Sequence, residues 1–173
     1  MPRPVAPRSR RLSYPLRRVG AVEASVEDGP SEDLVRFLVR YEASLEDQGW
    51  DAAPTVLARV PDEGDEMVFD VVGVGDPYEL VESWDPAGVS AYVVSMEAWS
   101  WPPGLAESER VGRPSERPDR IEVRSVMAVT RSGEVIVVSR QRGGEPIVER
   151  SAEGPLVDVM TEALQRSGSC GVV

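Results

Sequence analysis

Histidine, lysine and asparagine are missing from this 173-residue chain, and all 19 of its basic residues are arginines. Without imidazole there is no Ser-His or Cys-His nucleophile pair and no ordinary catalytic zinc site. Without an ε-amine there is no Schiff-base lysine and no phosphate-binding P-loop lysine. Catalysis would fall to Asp, Glu, Tyr, Ser, Thr, Arg, backbone groups or the N-terminal amine. A bound metal would be a hard ion such as Mg²⁺, Mn²⁺ or Ca²⁺ on carboxylates. The single cysteine, Cys170, rules out an internal disulfide framework. No window approaches the ~18 consecutive apolar residues of a membrane-spanning helix. No apolar h-region follows the N-terminal arginines. The expectation is a cytoplasmic protein with no membrane insertion, no cofactor, no metal and no catalytic residue set, a reading that leans away from an enzyme.

What the chain has in quantity is acid. Residues 1–20 carry six arginines and no acid, whereas the remaining 153 residues hold 13 arginines against 30 acids, a net charge of −17. A body that negative repels phosphates, so duplex nucleic acid binding by it is not expected. Basic surfaces, or a segment that needs an acidic cradle, are its natural partners. Residues 1–30 read as a basic, flexible arm, 31–168 as one α+β domain, and 169–173 as a tail.

Periodicity organises the domain. In "SEDLVRFLVRYEASLEDQGW" Leu34, Phe37, Leu38, Tyr41 and Leu45 repeat at helical spacing, with Arg36, Arg40 and Glu42 off the stripe. Ser31 suits the N-cap, Glu32 and Asp33 the first turn, and Gly49 the stop. "TVLARV" and "MVFDVVG" read as a hairpin across "PDEGDE", and "DPYELVESW" as a short helix capped by Asp76 with Pro77 first. "VSAYVVSMEAW" is a third strand. "IEVRSVMAVT" and "EVIVVSRQR", joined at "RSG", complete the set. Glu122 and Arg124 are expected on a wet face as a same-face charge pair. "PLVDVMTEALQRSG" closes as a helix with Leu156, Val159, Met160 and Leu164 inward. The predicted fold is α+β: one mainly antiparallel sheet of about five strands, with the N- and C-terminal helices packed on one face.

Three motifs dissolve on inspection. "VVGVGDP" supplies Gly73 and Gly75, half a dinucleotide fingerprint, but Tyr78 occupies the third glycine position and no βαβ unit surrounds it. "PDRIEVR" resembles a metal-nuclease cluster, yet only two residues separate its acids and Arg124 cannot be a general base. Thirty acids guarantee carboxylate pairs, and no spacing selects one for glycoside hydrolysis.

The segment from Trp99 to Arg120 is the exception. Trp99 and Trp101 lie two apart, so an extended chain puts both on one face, either plugging the sheet or opening to solvent. About twenty residues then run to Arg120, a long connection. Trp99, Trp101, Arg113, Arg117 and Arg120 form the expected partner-binding set, because Trp and Arg concentrate at binding hot spots. Arg110 lies in the same loop, where neighbouring acids could instead neutralise the arginines.

"EAWSW" followed by "RPSERPDRIEVRSVMAVTRSGE" resembles a loose group of small uncharacterised proteins from high-GC bacteria and their phages. That resemblance implies a characteristic cluster of Glu97, Trp99, Pro118, Asp119, Arg120 and Glu122, and no activity. The element order is also similar to that of secretion-chaperone domains, which implies a cradle for an unfolded partner segment and a homodimer. Two functions follow as expectations. The first is an adaptor- or chaperone-like interaction protein that binds a protein partner through the 99–120 loop and an acidic surface. The alternative is a small-molecule-binding protein or carboxylate- or metal-dependent enzyme using Glu97, Asp119, Arg120 and Glu122.

Overall fold

The computed structural model describes residues 11–13, 30–60, 67–102 and 104–166. The rest of the basic arm, the "PDEGDE" loop, and the tail with Gly168 and Cys170 lie outside the described residues. Helix α1 (Pro30–Gln48) starts on Pro30, whose fixed φ suits the first helical position, so Ser31 lies within the helix and not at its cap. The chain leaves α1 at Gly49, where φ is +98° and the amide donates to the Leu45 and Glu46 carbonyls at 3.1 Å. A glycine takes that left-handed position without strain.

Among the described residues seven strands form one antiparallel sheet. They are β1 (Arg11–Ser13), β2 (Thr55–Val60), β3 (Val68–Val74), β4 (Ala91–Ser100), β5 (Ile121–Thr130), β6 (Val135–Gln141) and β7 (Pro146–Glu149), in the order β1-β3-β2-β4-β5-β6-β7. The antiparallel α+β architecture is thus as expected from sequence, with two short edge strands, β1 and β7, beyond the five anticipated. Helix α2 (Pro77–Ser83) begins as its sequence predicts. The Asp76 carboxylate accepts the Tyr78 and Glu79 amides at 2.9 and 3.4 Å. Gly73 lies inside β3, where an added Cβ would sit 2.6 Å from Leu80 Cδ2. That glycine therefore serves close helix–strand packing, and the α2 amides are already occupied.

The terminal helices do not share a face. Leu34, Phe37, Leu38 and Tyr41 of α1 pack with Leu57, Phe69, Val93, Val126 and Ile136. Leu156, Val157, Met160, Ala163 and Leu164 of α3 (Pro155–Arg166) pack with Val56, Ala58, Tyr92, Val94 and Val129. Neighbours such as Leu57 and Val56, or Val93 and Val94, point to opposite sides of a strand, so α1 covers one face and α3 with α2 the other. The reason is composition. The central strands are apolar at both parities, as in "AYVVS" and "VIVVS", and a strand of that kind needs cover on both faces. On the α1 side Phe37 stacks on Phe69 with ring centroids 4.1 Å apart. Among the described residues no helix is long and apolar enough to cross a membrane.

Candidate functional site

Strands β4 and β5 pair over ten positions, from Ala91 with Thr130 to Ser100 with Ile121, and so continue past the C-terminal end of α1. Along the α1 face the core gives way in sequence. Val93 is apolar, Ser95 meets the Tyr41 hydroxyl at 3.4 Å, and then come Glu97, Trp99 and Trp101 from β4 and beyond. Opposite them stand Arg124 against Glu97 and Glu122 against Trp99.

Arg124 is the centre of this end, and it is 1% exposed. Its Nε and Nη2 donate to Glu97 Oε1 at 3.1 and 2.9 Å, its Nη1 to Glu46 Oε2 at 3.0 Å, and its Nη2 also to the Gly49 carbonyl. Glu42, fully buried, lies 3.8 Å from the same guanidinium and accepts a bidentate pair from Arg140 at 2.8 Å each. Donating this pair of hydrogen bonds to Glu42 raises the Arg140 pKa above its ordinary value. Burying these charges is tolerable only because every one of them is paired and hydrogen-bonded. The expectation that Glu42 lies off the helix stripe, and Arg124 on a wet face, is therefore corrected. Glu42 falls four residues after Leu38 and three before Leu45, on the inward stripe, and Arg124 shares parity with Val126 and Ala128.

Trp50, two residues past α1, lies under the Arg124 guanidinium at 4.4 Å and the Arg142 guanidinium at 5.6 Å. Arg142 in turn holds Glu122 at 2.7 Å, which raises the Arg142 pKa. Glu122 and Arg124 thus share a face without pairing to each other. Asp51 follows with φ +75° and donates its amide to Glu97 Oε2 at 2.6 Å. Carboxylate oxygens of Asp51, Glu97 and Glu122 come within 4.8 Å of one another, a set that would suit a hard cation. A cavity of about 20 Å³ opens beside Arg124, Glu97 and Ser95, room for a water but not a metabolite.

Beyond this network the loop folds back through two 3-10 turns, Glu107–Glu109 and Pro114–Glu116. Arg120 stacks over Trp99 at 4.4 Å, and Arg117 over Trp101 at 5.5 Å. Trp50, Trp99 and Trp101 each therefore carry a guanidinium. Trp99 remains 42% exposed, and Trp101 is partly buried. Arg117 also makes a bidentate bond to Asp119 at 2.8 Å, which raises the arginine's pKa and lowers the carboxyl's. Arg120 donates to the Arg117 carbonyl at 3.1 Å. Arg110 donates to the Leu105 carbonyl at 3.3 Å. Arg113 is exposed; its carbonyl accepts the Glu116 amide at 3.1 Å, and its side chain makes no hydrogen bond or ion pair among the described residues.

The sequence-expected ligand cluster is thus divided. Glu97 and Glu122 come together, Asp119 is tied to Arg117, and Arg120 belongs to Trp99. Trp50, Asp51, Glu42 and Arg140 were not among the expected site residues. Comparison with protein-family models, curated proteins and solved structures finds no match to this chain.

Proposed function

We propose that the chain is a non-enzymatic interaction protein, adaptor- or chaperone-like, that acts in the cytoplasm and holds a segment of a protein partner on the surface of Trp99, Trp101, Arg113, Arg117 and Arg120. The observation that carries this reading is Trp99. One face of its ring is covered by Arg120 at 4.4 Å while 42% of the residue stays open to solvent. An indole held rigid by a stacked guanidinium offers a large contact area at little cost in conformational entropy. Among the described residues the guanidiniums of Arg113 and Arg120 have no carboxylate partner, which leaves donors for carboxylates or carbonyls of the partner. Exposed Asp47 and Asp51 at the adjoining end of α1 supply the acidic surface.

The test is recovery of the tagged protein from its native host, with bound proteins identified by mass spectrometry. The identified partner is then titrated calorimetrically against the wild type and against Trp99→Ala with Arg120→Ala. Loss of binding in the double variant, at a thermal midpoint within a few degrees of wild type, is the expected result. Undiminished affinity would remove this surface as the interface.

A second reading rests on the approach of Asp51, Glu97 and Glu122, which would place a Mg²⁺ or Mn²⁺ ion at the mouth of the Arg124 network. It ranks second because Arg124 and Arg142 already neutralise two of the three carboxylates. A saturable rise in the unfolding temperature with either metal, absent in Asp51→Asn, would favour it.

A further inference from the structure

The opposite end of the sheet holds a cleft of about 220 Å³, below the first turns of α1 and between the end of β2, the start of β4 and the β5–β6 turn. Arg59 lines it. The backbone of Arg59 is fixed by pairing with Phe69 and Ala91, and its carbonyl accepts the Ser90 amide at 2.9 Å. Its side chain is partly buried and has no hydrogen bond, ion pair or ring contact among the described residues.

Among the described residues no other partly buried arginine is left so. Arg124 and Arg140 have carboxylates, and Arg117 has Asp119 and a ring. Arg131, beside the same cleft, spends its guanidinium on the Pro86, Val89 and Leu164 carbonyls. A partly buried guanidinium whose fork is unused offers several N–H donors in fixed geometry to an acceptor that enters the cleft. Among the described residues the acids near the cleft are committed elsewhere. Glu134, which lines the cleft, faces Arg150 at 3.8 Å. Glu32 also pairs with Arg150, and Asp33 with Arg36 at 2.9 Å. The hydroxyls of Thr130 and Ser132, 2.8 Å apart on the cleft wall, add neutral donors.

We infer that this cleft is a binding site for a small oxyanion, a carboxylate or phosphate group gripped by the Arg59 fork and the Ser132 hydroxyl. The volume admits a phosphate or a short carboxylic acid and falls short of the 300 Å³ or more, roughly, of pockets for drug-sized ligands. The site lies at the far end of the strands from Trp99, so it stands or falls separately from the partner surface.

The experiment is a thermal-shift titration with acetate and with inorganic phosphate, each against chloride at equal ionic strength. It is run on the wild type, Arg59→Met, Arg59→Lys and, as a control on an exposed helix position outside both sites, Arg40→Met. A saturable rise with at least one oxyanion, kept in Arg40→Met, weakened in Arg59→Lys and lost in Arg59→Met, is expected, because lysine keeps the charge without the fork. Acetate against phosphate separates the two ligand sources. Movement of the Arg59 side-chain Nε–Hε resonance on titration provides a reading in the unaltered protein. No saturable shift beyond chloride, or an equal shift in Arg59→Met, would overturn the assignment.

Discussion

Replacing Arg124 by methionine keeps the length and much of the volume of the side chain while deleting every contact of its guanidinium. Those contacts are two bonds to Glu97, one to Glu46, one to the Gly49 carbonyl, the approach to Glu42, and the face of Trp50. Breaking a buried ion pair by removing one partner costs about 3–5 kcal/mol, because the remaining charge is stranded. Glu42 retains Arg140 and Glu46 is partly open to water, so the buried groups left stranded are Glu97 and the Gly49 carbonyl, and the lower end of that range applies, about 3 kcal/mol. For a chain of this size that corresponds to a fall in the thermal midpoint of roughly 6–12 °C. Urea unfolding followed by far-ultraviolet circular dichroism measures it, with Asp33→Asn at the exposed Arg36–Asp33 pair as a comparison expected to lose no more than about 0.5 kcal/mol. Adding Glu97→Gln to Arg124→Met should recover about 1–2 kcal/mol, since it removes the stranded charge. A loss below about 1 kcal/mol for Arg124→Met, with an unchanged denaturant slope, would refute the claim that this network holds the end of the helix to the sheet.

Two further outcomes follow from single side chains. The Tyr92 hydroxyl is buried without a hydrogen-bond partner among the described residues, so Tyr92→Phe should be neutral or stabilising by up to about 1 kcal/mol in urea unfolding. Burial raises the Tyr92 pKa above its ordinary 10.0. The unfolded chain therefore ionises first, and the stability from this group, full below that value, is lost as pH rises toward the folded pKa. Stability measured from about pH 8 to about pH 11 should fall less in Tyr92→Phe than in wild type, and parallel curves would count against the argument. In the loop, the Asp119 carboxyl should titrate by nuclear magnetic resonance below its ordinary 3.8, and Arg117→Met should move it upward. Its contribution to loop order is present above that value and lost as pH falls through the folded one, so a midpoint at or above 3.8 in the wild type would exclude the fork.

Local signals carried much of the architecture. The stripe of Leu34, Phe37, Leu38 and Tyr41, the Asp76 cap and the "RSG" turn each report a local energy, and each appears in the fold as read. Strand β7 escaped because four residues beginning at Pro146, with exposed Ile147 and Val148, carry no alternation to recognise. The side on which each helix lies depends on the pleat of the whole sheet, although the unbroken apolar runs of β4 and β6 already demanded two covers. Glu42 and Arg124 were misplaced for a single reason. Each looks solvent-bound in isolation, and only the registry of Arg124 beside Arg140, 16 residues apart in the chain, brings both under one helix. The Trp99–Arg120 and Trp101–Arg117 stacks were foreseeable in composition, whereas Trp50 joins them only through the end of α1.

The ten-position ladder between β4 and β5 has a practical corollary. Ser100 and Ile121 are already neighbours, so the twenty residues between them close a gap that no longer exists. Changing the length of a loop whose ends are pinned costs little, about 0.6 kcal/mol per doubling. The segment is therefore an exchangeable cassette: it can be shortened, lengthened or replaced by another binding sequence while the three layers beneath remain as they are. For a designer, this chain is a lysine-free and histidine-free display scaffold with one ready insertion point.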